Sequence, residues 1–470
     1  LVPATISIAP PCSLQGTPAQ SDIAFREHQA SISLPSEPPL IWTAADSCLD
    51  KTRISENASR LICDSGEIPF RLAERHPLNQ AFLDMSSYIW LQARSLFIRG
   101  TVNPDASFVA RTLWPLDFKL PENPQPRPAP AHPLAIRARI REAPSGGAHS
   151  AFSAEAIWRA PDTDAPSPGQ PVIAFILNGA QGDDDEAHGG HFAIATGRIG
   201  PGGAIHDWLV ANFYTLDTES EKGIIAASVP LDNYFADINA GQAWYRPSHI
   251  LVATLSSEHV ATVLQSALST AFRDFYGHRL RYHHATANCT GISVDILRAL
   301  GWRIPGRGAE GWLKAFGALV LTLARSGSLV QGKLQFDYLT EDRTRLYPAA
   351  AFEEIAANLL RLATKDCPPD SLSPFERRLA GDMDSLMLLR IPQFPSSRAW
   401  GDHAVVDAQE YRKRLPPRLE DRRIVPVPRR RLPAELAANE AGCAGWQRSD
   451  YAVIGLGGLI IAVIAALLLT

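Results

Sequence analysis

From Ala452 to Leu469 the chain reads AVIGLGGLIIAVIAALLL, a run without a single charge. A helix rises ~1.5 Å per residue, so the run covers roughly 27 Å, close to the thickness of a bilayer's hydrocarbon core. Trp446 and Tyr451 stand where interfacial aromatics belong, Arg448 ends the apolar stretch, and Gly455, Gly457 and Gly458 would let a partner helix approach. A single-pass C-terminal transmembrane helix is therefore expected at 452–469, with the lipid bilayer as its partner. The basic run Arg412, Lys413, Arg414, Arg418, Arg422, Arg423 and Arg429 to Arg431 favours a cytoplasmic body, although much of it lies far from the span. The sequence opens on Leu1-Val2-Pro3 rather than methionine, and a removed leader would reverse that orientation. The side of the membrane stays open.

Ahead of this segment, proline clusters divide the chain. Residues 1–40 read as a loose tail and 41–120 as a mixed, partly helical segment, with helices expected over Leu78–Leu96 and Asp105–Trp114. Residues 121–170 read as a Pro-rich linker holding one half-exposed strand, Leu134–Arg141. An α+β domain is expected over 171–310. Within it, Val172–Leu177 is an apolar strand, His191–Gly197 and Ala204–Phe213 form a hairpin, a helix runs from Ser256 or Ser257 to about Tyr276, and Gly291–Leu300 is a second helix. Residues 311–400 read as a helical extension with helices at Trp312–Arg325, Ala349–Ala363 and Pro374–Leu389. Residues 401–450 read as a basic, Pro-rich linker.

Lys and Arg (45) against Asp and Glu (49) leave a net charge of −4, so no overall field favours nucleic acid as a partner. The six cysteines are too sparse for a disulfide scaffold, and none forms a C-x-x-C pair. Cys48 and Cys63 are close enough in sequence to bridge or to stand as unrelated thiols.

Cys289 is the candidate nucleophile. It opens a helix, where unpaired amides and the dipole favour thiolate, and Ile292, Ile296, Leu297 and Leu300 give that helix a buried face. The same position equally suits a small buried hydrophobe. A thiolate nucleophile needs an imidazole, and the imidazole an orienting group. His191 follows Gly189-Gly190 at the start of a strand. If Gly200–Gly203 is the hairpin loop, His191 faces Asn212 and Gly197 faces His206; a shifted loop would bring in His206 or Asp207 instead.

With Gly190-His191-Phe192 at a strand start, Asn212 one strand later and Asn288-Cys289-Thr290 opening a helix, the region 170–305 resembles the circularly permuted branch of the papain-like thiol hydrolases. That branch includes the NlpC-type and lecithin:retinol acyltransferase-like proteins, and a bacterial membrane-associated domain family of undefined function lies close to it. The resemblance implies an antiparallel sheet with a helix carrying the cysteine. It also implies Cys289 as nucleophile, His191 as general base, Asn212 or His206 as the orienting residue, and the Cys289 N–H in an oxyanion hole. The implied substrates carry an amide, peptide or acyl ester bond, and no cofactor or metal is implied. Some members have lost activity, so a silent binding or scaffold module on the same fold is the alternative.

The loop Asp183, Asp184, Asp185, Glu186 and His188 offers metal-type ligands, which would make a metal-dependent hydrolase. Consecutive side chains diverge, so a solvated loop, or one that tunes His191 and selects a cationic substrate, fits better. His283 and His284 read as loop residues near the cysteine. The sequons at Asn57 and Asn288 carry little weight.

Overall fold

Pro171–Asn178 is buried along its whole length, the signature of a strand covered on both faces. It is one of the four strands whose ends meet at the candidate site. The computed structural model describes residues 47–391, apart from 58, 73–91, 93, 117–125, 142–151, 162, 179–189, 214–226, 233, 236–247, 277–278, 281, 283–286 and 309–310. Its strands are β1 (Ser47–Ile54), β2 (Arg60–Cys63), β3 (Gly66–Leu72), β4 (Leu96–Val102), β5 (Phe108–Pro115), β6 (Arg127–Pro128), β7 (Ser153–Arg159), β8 (Pro171–Asn178), β9 (His191–Arg198), β10 (Leu209–Asn212), β11 (Ala227–Pro230), β12 (Ser248–Leu255) and β13 (Met383–Ile391). Its helices are α1 (Pro133–Arg141), α2 (His259–Tyr276), α3 (Cys289–Ala299), α4 (Trp312–Ser326), α5 (Leu329–Thr340), α6 (Arg343–Leu346), α7 (Pro348–Ala363) and α8 (Pro374–Asp382). The α+β class expected from the sequence is what the chain adopts.

Strands β1-β2-β3-β5-β4 close a barrel whose core includes Leu61, Leu96, Ile98 and Phe108. The other eight form one sheet in the order β11-β10-β9-β8-β12-β13-β7-β6. One sheet face carries Val172, Ala174, Ile176, Ala193, Ala195, Val210, Ile250 and Val252, packed with Cys48, Phe97 and Trp114 of the barrel strands. The other face carries the helices: Phe175 packs edge-on against Trp302, 5.6 Å between ring centres, and Thr196 donates to Gln265 of α2.

Several expectations are corrected. Residues 105–114 are not a helix; Phe108–Pro115 is β5, in which Phe108 and Ala110 and, past a register shift, Leu113 turn into the barrel core. Leu134–Arg141 is not a strand but α1, started by Pro133, with His132 Nδ1 accepting from the Leu134 N–H. In α1, Arg137 and Arg139 reach outward to Glu353 and Glu155. The supposed linker 121–170 supplies β6 and β7 to the main sheet. The helix expected at Pro374–Leu389 stops at Asp382. A capping box of Ser373 and Glu376 starts it, and β13 follows, hydrogen-bonded between β12 and β7. Leu and Met are good helix formers, but pairing on both edges overrides that preference. The sheet that holds the strands of 171–310 is thus continued by β13, from the segment expected to be a helical extension. Cys48 is disulfide-bonded while Cys63 is a free thiol, so these two do not bridge each other.

The helices expected at Trp312–Arg325, Ala349–Ala363 and Gly291–Leu300 are present within two residues. The helix expected after Ser256 or Ser257 begins at His259, and the Ser257 hydroxyl donates to Asp382 across the fold. No helix among the described residues is long and apolar enough to cross a membrane, and 452–469 lies outside them, as does most of Leu78–Leu96.

His249 on β12 is buried between Leu177 and Arg390 on the neighbouring strands. Burial, then the Arg390 charge, depresses it from 6.5 to about 3. Its neutral form therefore belongs to the folded state, and the stability it contributes is present above pH 6.5 and lost as pH falls toward 3. His249→Leu should flatten this acid limb, removing about 2 kcal/mol of the loss between pH 6.5 and about 5, measured by urea unfolding.

Candidate functional site

Four strands end together and bring their terminal polar residues to one place. Asn178 ends β8 and pairs with His191, which begins β9; Asn178 also pairs with Ser248, which begins β12. Directly paired residues share a sheet face, so these three side chains stand side by side. Gly190 enters β9 at φ +78°, a left-handed conformation that a side chain would strain.

Asn212, at the end of β10, joins them through a register that the sequence does not indicate. The observed β9–β10 pairs are Leu209 with Thr196, Val210 with Ala195 and Ala211 with Ile194. This is two residues away from the expected pairing, in which His191 faced Asn212. The reason is the connection. Pro201–Gly203 forms a 3₁₀ turn, after which Trp208 packs over Gly197 and donates its indole N–H to the Arg198 carbonyl at 2.9 Å. A Cβ on Gly197 would stand 2.8 Å from the Trp208 ring. Residues 204–208 are consumed by this packing, and β10 starts only at Leu209. A two-residue slip preserves the face, so Asn212 becomes the diagonal neighbour of His191 and still reaches it. Asn212 Oδ1 and His191 Nε2 are 2.5 Å apart and buried. An amide oxygen only accepts, so this pairing puts the imidazole proton on Nε2 and the lone pair on Nδ1.

Tyr234 closes the other side of the ring, stacked at 6.3 Å and 28°. Its hydroxyl donates to Asn178 Oδ1, and Asn178 Nδ2 donates to Ser248 Oγ at 2.7 Å. Sequence reasoning missed Tyr234, Asn178 and Ser248. Asn178 carried one signal, a polar residue terminating an apolar run opposite the histidine's strand.

Cys289 is the first residue of α3. Asn288 caps the helix, its Oδ1 accepting from the Thr290 and Gly291 N–H groups at 3.1 and 2.9 Å. The cap is itself held, since Asn288 Nδ2 donates to the Leu346 carbonyl of α6. Ser293 Oγ donates to the Cys289 carbonyl at 2.7 Å, and the sulfur lies 3.8 Å from Thr290 Oγ1. Cys289 is 4% exposed and His191 8%. Helix α3 packs against β9, which brings the thiol's helix onto the imidazole's strand. Side-chain alternation along β9 nevertheless sends His191 out with Ala193 and Ala195, on the Tyr234 face, whereas Thr196 points toward the helices.

The other candidate orienting residue, His206, is not the partner in the His191–Asn212 hydrogen bond. It lies in the β9–β10 connection, 6.4 Å between ring centres from Phe97 of β4, and its carbonyl accepts from the Asp232 N–H. There it borders a buried ion cluster that the sequence did not disclose. Arg99 of β4 donates to both Asp207 oxygens and to Asp232 Oδ2, and Arg111 of β5 donates to Asp207 and Asp232. Thr112 Oγ1 adds a bond to Asp232 at 3.2 Å. Burial opposes ionisation of Asp232, but Arg111, Arg99 and His206 outweigh it and hold its carboxyl below the ordinary range. The cluster ties the barrel to the segment that carries Tyr234, two residues beyond Asp232.

Among the described residues, no group of three His, Cys, Asp or Glu side chains is arranged to hold a metal ion. The acidic loop 183–188 and His283 and His284 lie outside the described residues. No protein-family model, curated protein or solved structure matches this chain.

Proposed function

We propose that the chain is a cysteine-dependent hydrolase or acyltransferase on a permuted papain-like core, acting on an amide, peptide or acyl ester bond and tethered to a bilayer by 452–469. The observation that carries this reading is the buried His191–Asn212 hydrogen bond, on the strand against which the Cys289 helix packs. With Nε2 held by Asn212, Nδ1 is the basic nitrogen. It takes the Cys289 proton as sulfur attacks the carbonyl carbon, and the tetrahedral oxyanion draws on the Cys289 N–H, which is not among the amides the Asn288 cap consumes. Collapse expels the amine or alcohol with the proton from Nδ1 and leaves a thioester. Water or an acceptor alcohol or amine then takes the acyl group and restores the thiol.

One observation favours a second reading, a catalytically silent binding module. The alternation of β9 aims His191 at Tyr234 and Asn178, and a ring held only there would be a structural member of a polar core. A thiol-directed electrophile carrying an amide, such as a peptidyl vinyl sulfone, separates the two. Cys63 and Cys367 are free and more exposed than Cys289, so they act as internal references. The enzyme reading expects Cys289 to be modified at least about tenfold faster than either, as an activated thiolate is. Modification of Cys289 slower than of Cys63, mapped by mass spectrometry, would establish the silent module instead.

A further inference from the structure

Helices α2 and α3 cover the same sheet face and run in opposite directions. Helix α2 starts beside α8, where Arg378 donates to Ser257 Oγ at 3.0 Å. Its last turns reach the candidate site, where Phe272 stacks at 4.2 Å on Phe213, the residue after Asn212. Helix α3 starts with Cys289 and ends back at α8, since a Cβ on Gly301 would stand 3.5 Å from Ser373 Oγ. Between the two helices lies a groove of about 830 Å³, a size typical of ligand sites. Val263, Ala267 and Ala271 of α2 and Ile296, Ala299 and Leu300 at the end of α3 give it an apolar lining of mostly small side chains.

The groove leads toward the cysteine. Cys289, Ser293, Ile296 and Leu300 recur at intervals of four, three and four residues and so share one stripe of α3. That stripe is buried at Cys289 and Ser293 and lines the groove from Ile296, roughly 10 Å further along the helix. The walls identify the ligand. Thr262, Ser266 and Thr270 set a row of hydroxyls along α2, and those of Thr262 and Ser266 have no protein partner among the described residues. An acyl chain offers such a row nothing. An extended peptide does, because its backbone groups on one side repeat every two residues, roughly 6.6 Å, close to the ~6.0 Å between helical residues four apart. The groove runs about 22 Å from His259 to Asp274, room for about seven extended residues. Its charges are already matched, Glu258 by Arg198, Asp274 by Arg279 and Arg378 by Asp382, so an ionic ligand would gain little.

We propose that the α2–α3 groove binds an uncharged peptide segment in extended conformation, with aliphatic side chains over Ala267, Ala271 and Ala299 and backbone groups on the Thr262 and Ser266 hydroxyls. The claim goes beyond the hydrolase reading and holds equally for a silent binding module. If Cys289 is a nucleophile, a peptide held there extends toward the thiol along the cysteine's own stripe. Helix α2 then selects among the amide substrates.

The test uses the full chain and a fluorescein-labelled heptapeptide amide of alternating serine and leucine. The peptide carries no electrophile, so it reports binding whether or not Cys289 reacts. The expected result is a saturable rise in fluorescence anisotropy. Ala267→Phe, which fills the groove, should weaken binding at least about tenfold. The double variant Thr262→Val, Ser266→Ala keeps the groove's shape and removes its free hydroxyls, and should weaken binding about three- to tenfold. Thermal unfolding checks that both variants are folded. Absence of saturable binding to wild type, or binding indifferent to both variants, would overturn the proposal. So would saturable binding of a fluorescent fatty acid that Ala267→Phe abolishes while the peptide fails to bind, because the groove would then hold an acyl chain. The vinyl sulfone reaction at Cys289, run on the same variants, reports the enzymatic reading separately.

Discussion

His191→Ala is expected to lower turnover of an activated ester by about 10²–10⁴-fold, the contribution of a positioned general base, while Cys289→Ala removes acyl-enzyme formation altogether. The geometry ranks the third residue. Asn212→Ala should cost at least about tenfold, because without an acceptor at Nε2 both neutral tautomers compete and only one leaves Nδ1 basic. His206→Ala should leave the rate nearly unchanged, since the His206 ring lies against Phe97, its charge acts on Asp232, and the His191 ring is held by Asn212. Rates are to be compared under single-turnover conditions, with folding verified by near-ultraviolet circular dichroism. Retention of wild-type rate by a folded His191→Ala variant would reassign the histidine to the polar core around Tyr234.

The second large effect concerns stability. Asp232→Ala removes one of the two carboxylates shared by Arg99 and Arg111, side chains buried between the barrel and the sheet. Breaking a buried pair by deleting one partner leaves an uncompensated charge, and a loss of about 3–5 kcal/mol in urea unfolding is expected. The double variant Arg99→Met, Asp232→Leu should recover much of that, because apolar replacement removes the desolvation cost together with the attraction. A loss under about 1 kcal/mol for Asp232→Ala would mean that Asp207 alone satisfies both guanidinium groups. Tyr234 follows Asp232 by two residues and stacks on His191, so the same variant should also impair the His191 site.

These two predictions mark where the sequence was legible. Cys289 at a helix start, His191 at a strand start and Asn212 as its companion all follow from local pattern: an Asn-Cys-Thr cap, a glycine pair before an alternating run, and strand parity. Parity survived even though the register did not, because Trp208 packing over Gly197 moved β10 by an even number of residues. The barrel was not legible. Its strands β4 and β5 are separated by a short turn, but closure depends on β3 lying parallel to β5 and on β1 meeting β4, pairings that no local pattern encodes. The Arg99–Asp232 contact spans 133 positions and leaves no periodic trace. Strand β13 was hidden for a different reason: Met383-Asp384-Ser385-Leu386 continues a well-capped helix in composition, and only the waiting edges of β12 and β7 make it extended.

That late strand has a consequence for biosynthesis. Strand β12 leaves the ribosome more than a hundred residues before β13, and until β13 arrives one edge of a strand that is buried throughout the fold has no hydrogen-bonding neighbour. The growing polypeptide must therefore keep Ser248–Leu255 shielded while α2 through α8 are translated. A fragment trimmed back to the cysteine's helix would carry an adhesive border, prone to pairing with its own kind.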